Sequence, residues 1–352
     1  MAYTTIDKPS DYFNTKLYTG NGNTDHAITG VGFQTDFFWG KKRSATGSNF
    51  LVNSISGVGK HLISDDTGAE TTFAEGVKSF ASDGFTLGTG GDINDNSQTF
   101  VAWNWKAGTS VSGTTTGSGT GKAYSGSVST TSGFSIIKYL GNGTAGHTIP
   151  HHLGAVPKFI IVKQTIGGSE NWFNYHVSLG NTKDIHLNQT NAAATADSWN
   201  DTTPTSSVFS ISDQSAVNGN GNTHVAYCFS EKKGYSKFGS YTGNGNANGA
   251  FVYTGFKPAF VITKNTTSSG YNWVLFDNKR STSGFNVVDK RLEPDTNNAE
   301  GTTSAYDVDL VSNGFKSRGT GSGVNRSGNT FIYMAFAEQP FVSSSGVPAT
   351  AR

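Results

Sequence analysis

Tyr139-Leu140-Gly141-Asn142-Gly143 has two close counterparts in the chain, Tyr18-Thr19-Gly20-Asn21-Gly22 and Tyr241-Thr242-Gly243-Asn244-Gly245. Landmarks that recur in a fixed order identify repeated structural units before any strand is assigned. Each of these landmarks is followed by a glycine-bearing approach and an apolar strand ending in lysine. The three versions are Gly32-Phe33 through Phe37-Phe38-Trp39-Gly40-Lys41, Gly154-Ala155 through Phe159-Ile160-Ile161-Val162-Lys163, and Gly255-Phe256 through Phe260-Val261-Ile262-Thr263-Lys264. The second and third copies continue with Asn171-Trp172 and Asn272-Trp273. A further landmark reads Thr67-Gly68-Ala69-Glu70, Thr190-Asn191-Ala192 and Thr296-Asn297-Asn298-Ala299-Glu300. The units close on Thr99–Trp105, Thr223–Phe229 and Thr330–Phe336, in which aromatic and branched residues alternate.

Runs such as Phe159–Val162 are apolar on both faces and predict central strands, whereas the closing segments read as period-two strands packed on one core. Turn signals such as Asp83-Gly84, Asn142-Gly143, Asn218-Gly219 and Asn313-Gly314 separate them. No segment has the periodicity of an ordinary helix, and the Ala-rich Asn191–Asp197 is at best one turn. The expected fold is all-β: three tandem β-sandwich, jelly-roll-like repeats of about 100 residues each. The repeats occupy 1–106, 133–233 and 234–338, and 339–352 forms a C-terminal tail. Residues 107–132, almost pure Gly, Ser and Thr, read as a flexible or surface-draped linker. The second and third units, which lack a spacer, should pack as a rigid pair. Gly40 stands where a branched or aromatic residue is expected, which predicts a bulge in that strand.

Composition narrows the function. The chain of 352 residues has 45 glycines, 14% charged residues and a net charge of +1. No field of either sign would draw it to nucleic acid or an anionic membrane. The longest apolar run, Phe331–Ala337, is too short to span a bilayer, so no membrane insertion is expected. The N-terminal stretch lacks a basic region followed by an apolar one, so no cleaved secretory signal is expected. Cys228, between Tyr227 and Phe229, reads as a small buried hydrophobe and excludes a disulfide framework.

Site motifs are sparse. Gly141-Asn142-Gly143-Thr144-Ala145-Gly146 matches a dinucleotide fingerprint, but His147, Pro150 and an apolar strand follow where a helix is required. Six histidines (His147, His151, His152, His176, His186, His224) fall in the second unit without Cys or carboxylate at ligand spacing, and read as loop and strand-edge groups bonded to backbone. The aspartates Asp65, Asp66, Asp197, Asp201, Asp277, Asp289, Asp307 and Asp309 are scattered and suit solvated turns. No nucleophile elbow accompanies them. No catalytic residue, metal site or cofactor is therefore assigned, and the chain is not expected to be an enzyme. The candidate carbohydrate-binding residues are Trp172, Tyr175 and His176, corresponding to Trp273, Phe276 and Asp277, since sugar rings stack on aromatics while polar side chains bond their hydroxyls. Tryptophans recurring at matching places also fit, and fit better, side chains that fill a sandwich core.

With the repeats in place, the chain resembles a family of tailed-bacteriophage structural proteins, common among marine phages, with repeated β-rich domains. The resemblance spans nearly the whole chain. It is carried by Ala2-Tyr3-Thr4-Thr5-Ile6-Asp7, Ser82-Asp83-Gly84-Phe85-Thr86-Leu87-Gly88, Val101-Ala102-Trp103-Asn104-Trp105-Lys106-Ala107-Gly108 and Tyr333-Met334-Ala335-Phe336-Ala337-Glu338-Gln339-Pro340-Phe341. It implies a component of the virion surface, a tail fibre or a head fibre or decoration, with a scaffold or host-adhesion role after assembly in the host cytoplasm. The partners implied are other virion proteins of capsid or tail and further copies of the chain, a trimer among them. A host surface glycan is the candidate ligand of the alternative reading as an adhesin, with a polysaccharide depolymerase as a more distant one.

Overall fold

The computed structural model describes residues 3–281 and 287–348. The chain is all-β and builds antiparallel sheets that pack face to face as sandwiches. In residues 1–106 the larger sheet runs Phe13–Thr19, Thr99–Trp105, Phe37–Lys42, Phe50–Asn53, Lys60–Ile63, Thr71–Thr72, and it faces a smaller one of His26–Thr29, Gly84–Leu87 and Val77–Ala81. The same plan recurs twice. An eight-stranded sheet containing Phe134–Leu140, Thr223–Ser230, Pro157–Ile166 and Phe173–His176 faces Thr116–Gly117, His147–Pro150 and Val208–Ile211. A four-stranded sheet of Ser236–Thr242, Thr330–Pro340, Phe256–Asn265 and Val274–Asp277 faces Phe251–Tyr253, Gly314–Ser317, Val308–Val311 and Val287–Val288.

The closing strands are central, not one-sided as their alternation suggested. Thr99–Trp105 pairs with Phe13–Thr19 on one side and Phe37–Lys42 on the other, and Phe100 through Trp105 are all buried. Alternate residues serve two cores. Ala102 faces an outer core with Phe38, Phe50, Val52, Phe85 and Leu87, while Val101, Trp103 and Trp105 enter an inner core. The second and third outer cores gather around Ile137, Ile160, Val162, Phe209 and Ile211, and around Val261, Phe276, Leu310, Phe315 and Ala335.

The inner core is shared by all three units. Trp105, Phe229 and Phe336, the same position in each closing strand, form a triangle with ring centroids 5.7, 5.9 and 6.4 Å apart. The second and third units are therefore not a pair set apart from the first, because the third sheet of the inner core comes from residues 1–106.

Three further local expectations change. Residues 107–132 are built into the fold: Thr109–Thr114 pairs with Ala123–Ser129, which pairs with Phe134–Leu140, so this stretch widens the second sheet by two strands. The side chains of Thr109–Thr114 stay largely exposed while Gly126–Ser129 is buried, and Ser and Thr serve as strand residues when a neighbouring strand supplies hydrogen bonds. The Phe37–Lys42 strand keeps an unbroken register. A Cβ on Gly40 would come within 2.6 Å of the Phe38 ring, so the glycine gives room to that ring and makes no bulge. Register shifts occur instead in Pro157–Ile166 and Phe256–Asn265. Asn191–Asp197 holds a two-residue strand, Ala194–Thr195, and the one-turn helices lie elsewhere, at Gly91–Asn94, Ser215–Asn218 and Ser322–Asn325.

Candidate functional site

The recurring Tyr-x-Gly-Asn-Gly landmark acquires its meaning from those helical turns. Each turn ends in a fully buried asparagine, Asn94, Asn218 or Asn325. Its Oδ1 accepts from the landmark amide of Asn21, Asn142 or Asn244 at 2.9–3.0 Å. Its Nδ2 donates to two carbonyls: Asn23 and Gly88, Thr144 and Ser212, or Asn246 and Gly319. The landmark tyrosines Tyr18, Tyr139 and Tyr241 donate to the carbonyls of Ile93, Val217 and Val324 at 2.7–2.8 Å. The second glycine, Gly22, Gly143 or Gly245, adopts φ of +67 to +69°, a conformation that favours glycine. Each landmark is thus a lock that ties the first strand of a unit to the turn before its last.

The remaining polar chemistry lies between units. The lysine ending each approach strand, Lys41, Lys163 or Lys264, is fully buried. Its ammonium donates to carbonyls of its own unit and of a neighbouring one. Lys41 reaches Gly47 and Thr296, Lys163 reaches Glu170 and Thr67 at 2.7 and 2.8 Å, and Lys264 reaches Tyr271 and Gln189. Burial pushes each ammonium down to about 8, against nearby carboxylates that favour the charge: Asp65, Asp92 and Glu293 at Lys41, Asp66 and Glu170 at Lys163, and Asp295 at Lys264. The acceptors in the neighbouring unit stand at or beside the threonine that opens the further landmark: Thr67, Thr296, and Gln189 just before Thr190. Backbone bonds accompany them, from Glu70 N to Thr165 O, Ala193 N to Thr266 O and Glu300 N to Arg43 O. The first unit meets the second, the second the third and the third the first in one rotational sense, so the circuit closes.

A second circuit runs through the inner core. Asn53, His176 and Asp277 end equivalent strands, and each caps the following turn through backbone amides: Ile55 and Ser56, Ser178, or Lys279 and Arg280. Each also reaches the next closing strand. Asn53 Nδ2 donates to the Tyr227 hydroxyl at 3.1 Å, His176 Nε2 lies 3.1 Å from Tyr333 O, and Asp277 Oδ2 accepts from Trp103 Nε1 at 3.0 Å. The charge on Asp277 is met by Arg280 at 2.6 Å. Arg280 also bridges to Glu300, which Arg43 binds at 2.8 and 2.9 Å. Across the first junction, Glu70 holds Lys138 at 3.2 Å.

The candidate sugar-binding residues all belong to this interior. Trp172, Tyr175, His176, Trp273 and Asp277 are at most 2% exposed, so no indole face is open to a glycan. The Trp172 indole N–H donates to Ile63 O and Asp66 O of the first unit, and the Trp273 N–H to His186 O of the second. Tyr175 packs in the second outer core against Trp199. The carbohydrate assignment at these residues is corrected on that ground: they join units and fill cores. Asn49 takes the equivalent place in the first unit and donates to Glu293 O and Thr296 O.

Cys228 lies in the second outer core, where burial raises its thiol well above the ordinary range. The histidine cluster is bonded within the fold: His147 to Asn142 and Ser118 O, His151 to Thr205 O and Leu153 N, His152 to the Tyr124 hydroxyl. Among the described residues no group of three or more His, Cys, Asp or Glu is placed to hold a metal, and no helix is long and apolar enough to cross a membrane. A strand, not a helix, follows Gly146, so the glycine-rich landmark lacks the phosphate-binding context.

Sequence reasoning missed Asn94, Asn218 and Asn325. Their signal was present, since each stands five residues before the threonine that opens a closing strand. No curated protein and no solved structure matches the chain. A family model described as Domain of unknown function (DUF7483) matches residues 8–340, across all three sequence units, and the chain belongs to that family.

Proposed function

We propose that the chain is a non-enzymatic structural protein of a tailed-phage particle, displayed on its surface as a tail fibre or as a head fibre or decoration, and that it serves as a rigid scaffold joined to other virion proteins. The observation that carries this reading is the use of buried polar side chains. Lys41, Lys163, Lys264, Asn53, His176, Asp277 and both interfacial tryptophans connect one unit to another. Side chains that could carry chemistry are thus spent on holding three sheets in one body, as a load-transmitting component requires. The resemblance of the strings from Ala2–Asp7 to Tyr333–Phe341 to those of phage structural proteins is the context in which this reading is proposed. Self-association belongs to the reading, although one chain already supplies internally the threefold arrangement that a trimer of single units would give. A host-adhesion role, where present, would use a surface other than Trp172 and Trp273.

The test is the copy number of the chain relative to the major capsid subunit in purified particles, by quantitative mass spectrometry. A ratio near that of the shell subunit assigns it to the head, and a few copies per particle assign it to the tail. Absence from particles overturns the proposal.

A further inference from the structure

Thr109–Thr114 forms the outer edge of the eight-stranded sheet. Exposed edges present unpaired N–H and C=O groups, and proteins usually guard them with charge, proline, bulges or brevity. The other long edges here are guarded. Phe13–Thr19 carries Lys16, Ser236–Thr242 carries Lys237, and Val77–Ala81 carries Lys78 and a register shift. The remaining described edge strands are four residues or shorter. The sequence Thr109-Ser110-Val111-Ser112-Gly113-Thr114 has six residues in unbroken register with Ala123–Ser129, no charge and no proline. Among the described residues only the second unit carries this addition. The strands equivalent to Phe134–Leu140 in the other units, Phe13–Thr19 and Ser236–Thr242, are themselves the lysine-bearing edges.

We propose that Thr109–Thr114 pairs antiparallel with the same strand of a second copy, joining two eight-stranded sheets into one across a twofold axis. A strand that meets itself brings every charge opposite or beside its like, so an uncharged Ser/Thr edge suits a second copy better than any other edge of this chain. Cross-strand Ser and Thr pairs add hydroxyl bonds, and Ser110, Ser112 and Thr114 are exposed and free to make them. Six residues bury far less than the roughly 1,200 Å² of a standard interface, so the pairing is weak in dilute solution and favoured by high local concentration. The inference does not rest on the particle reading.

The experiment is sedimentation of the full chain from about 1 to about 200 µM, with amide exchange of residues 109–114 followed over the same range. The expected mass rises from 37.2 kDa toward twice that value, with exchange at 109–114 slowing as it does. Ser110→Lys with Ser112→Lys, at exposed positions, keeps the mass at the single-chain value. A mass of one chain at every concentration overturns the proposal. So does association that the lysine variant leaves unchanged, because a different surface then joins the copies.

Discussion

Mild acid is expected to unfold this protein through its interior imidazoles. His151, His176 and His224 are buried, and burial holds each down at about 4 despite a backbone carbonyl 3.1 Å from its Nε2. In the unfolded chain an imidazole titrates near 6.5. The folded value is the lower one, so the stability these groups contribute is complete above about pH 6.5 and is lost as pH falls toward 4. Asp295 opposes them. Burial raises its carboxyl to about 7, so it keeps in the fold a proton that the unfolded chain releases. In this window unfolding takes up three protons at these imidazoles and gives back one at Asp295, and His61, His147 and His152, which burial also holds below the ordinary range, add to the uptake, so the net uptake is at least about two protons. Each is worth about 1.4 kcal/mol per pH unit, so the fall from about pH 6.5 to about pH 5 removes at least about 4 kcal/mol. That is a large share of the roughly 5–15 kcal/mol of an ordinary domain. Urea unfolding at a series of pH values, read by tryptophan fluorescence, measures the slope. His176→Asn, which installs the residue found at the equivalent Asn53, should lower it by about one proton, and Asp295→Asn should raise it by about one proton. Stability that stays flat between about pH 7 and 5, or a His176→Asn variant with an unchanged slope, refutes the reasoning.

Two further substitutions probe the locks and the junctions. Asn218→Ala leaves Asn142 N, Thr144 O and Ser212 O without their buried partner, and should cost about 3 kcal/mol in urea unfolding. Arg280→Met leaves Asp277 charged and buried beside Trp103. It should cost about 3–5 kcal/mol, and adding Asp277→Asn should recover part of that loss in a double-mutant cycle.

Much of the local architecture was legible in the sequence because it depends on neighbours along the chain. The Gly-Asn-Gly landmarks announce themselves through glycines that must take positive φ, and the approach and closing segments through runs of branched and aromatic residues. The helical turns were not legible, since Gly91–Asn94, Ser215–Asn218 and Ser322–Asn325 are too short for any helical period to register. Residues 107–132 look disordered by composition, and only the open edge of Phe134–Leu140 makes strands of them. The candidate site failed for a non-local reason. Trp172 and Trp273 recur at matching places in either reading, and what decides between them is that a neighbouring unit offers carbonyls to each indole. The lysines closing the approach strands were visible as a pattern, but three ammonium groups at an interior junction look on paper like three solvated ends.

The central claim is that three sequence units share one inner core and form one body. Scanning calorimetry of the intact chain tests it most directly. A shared core predicts a single transition whose calorimetric enthalpy equals its van't Hoff enthalpy, even in a chain of this length. Two or three resolved transitions, each with the enthalpy of a unit of about 100 residues, would contradict it.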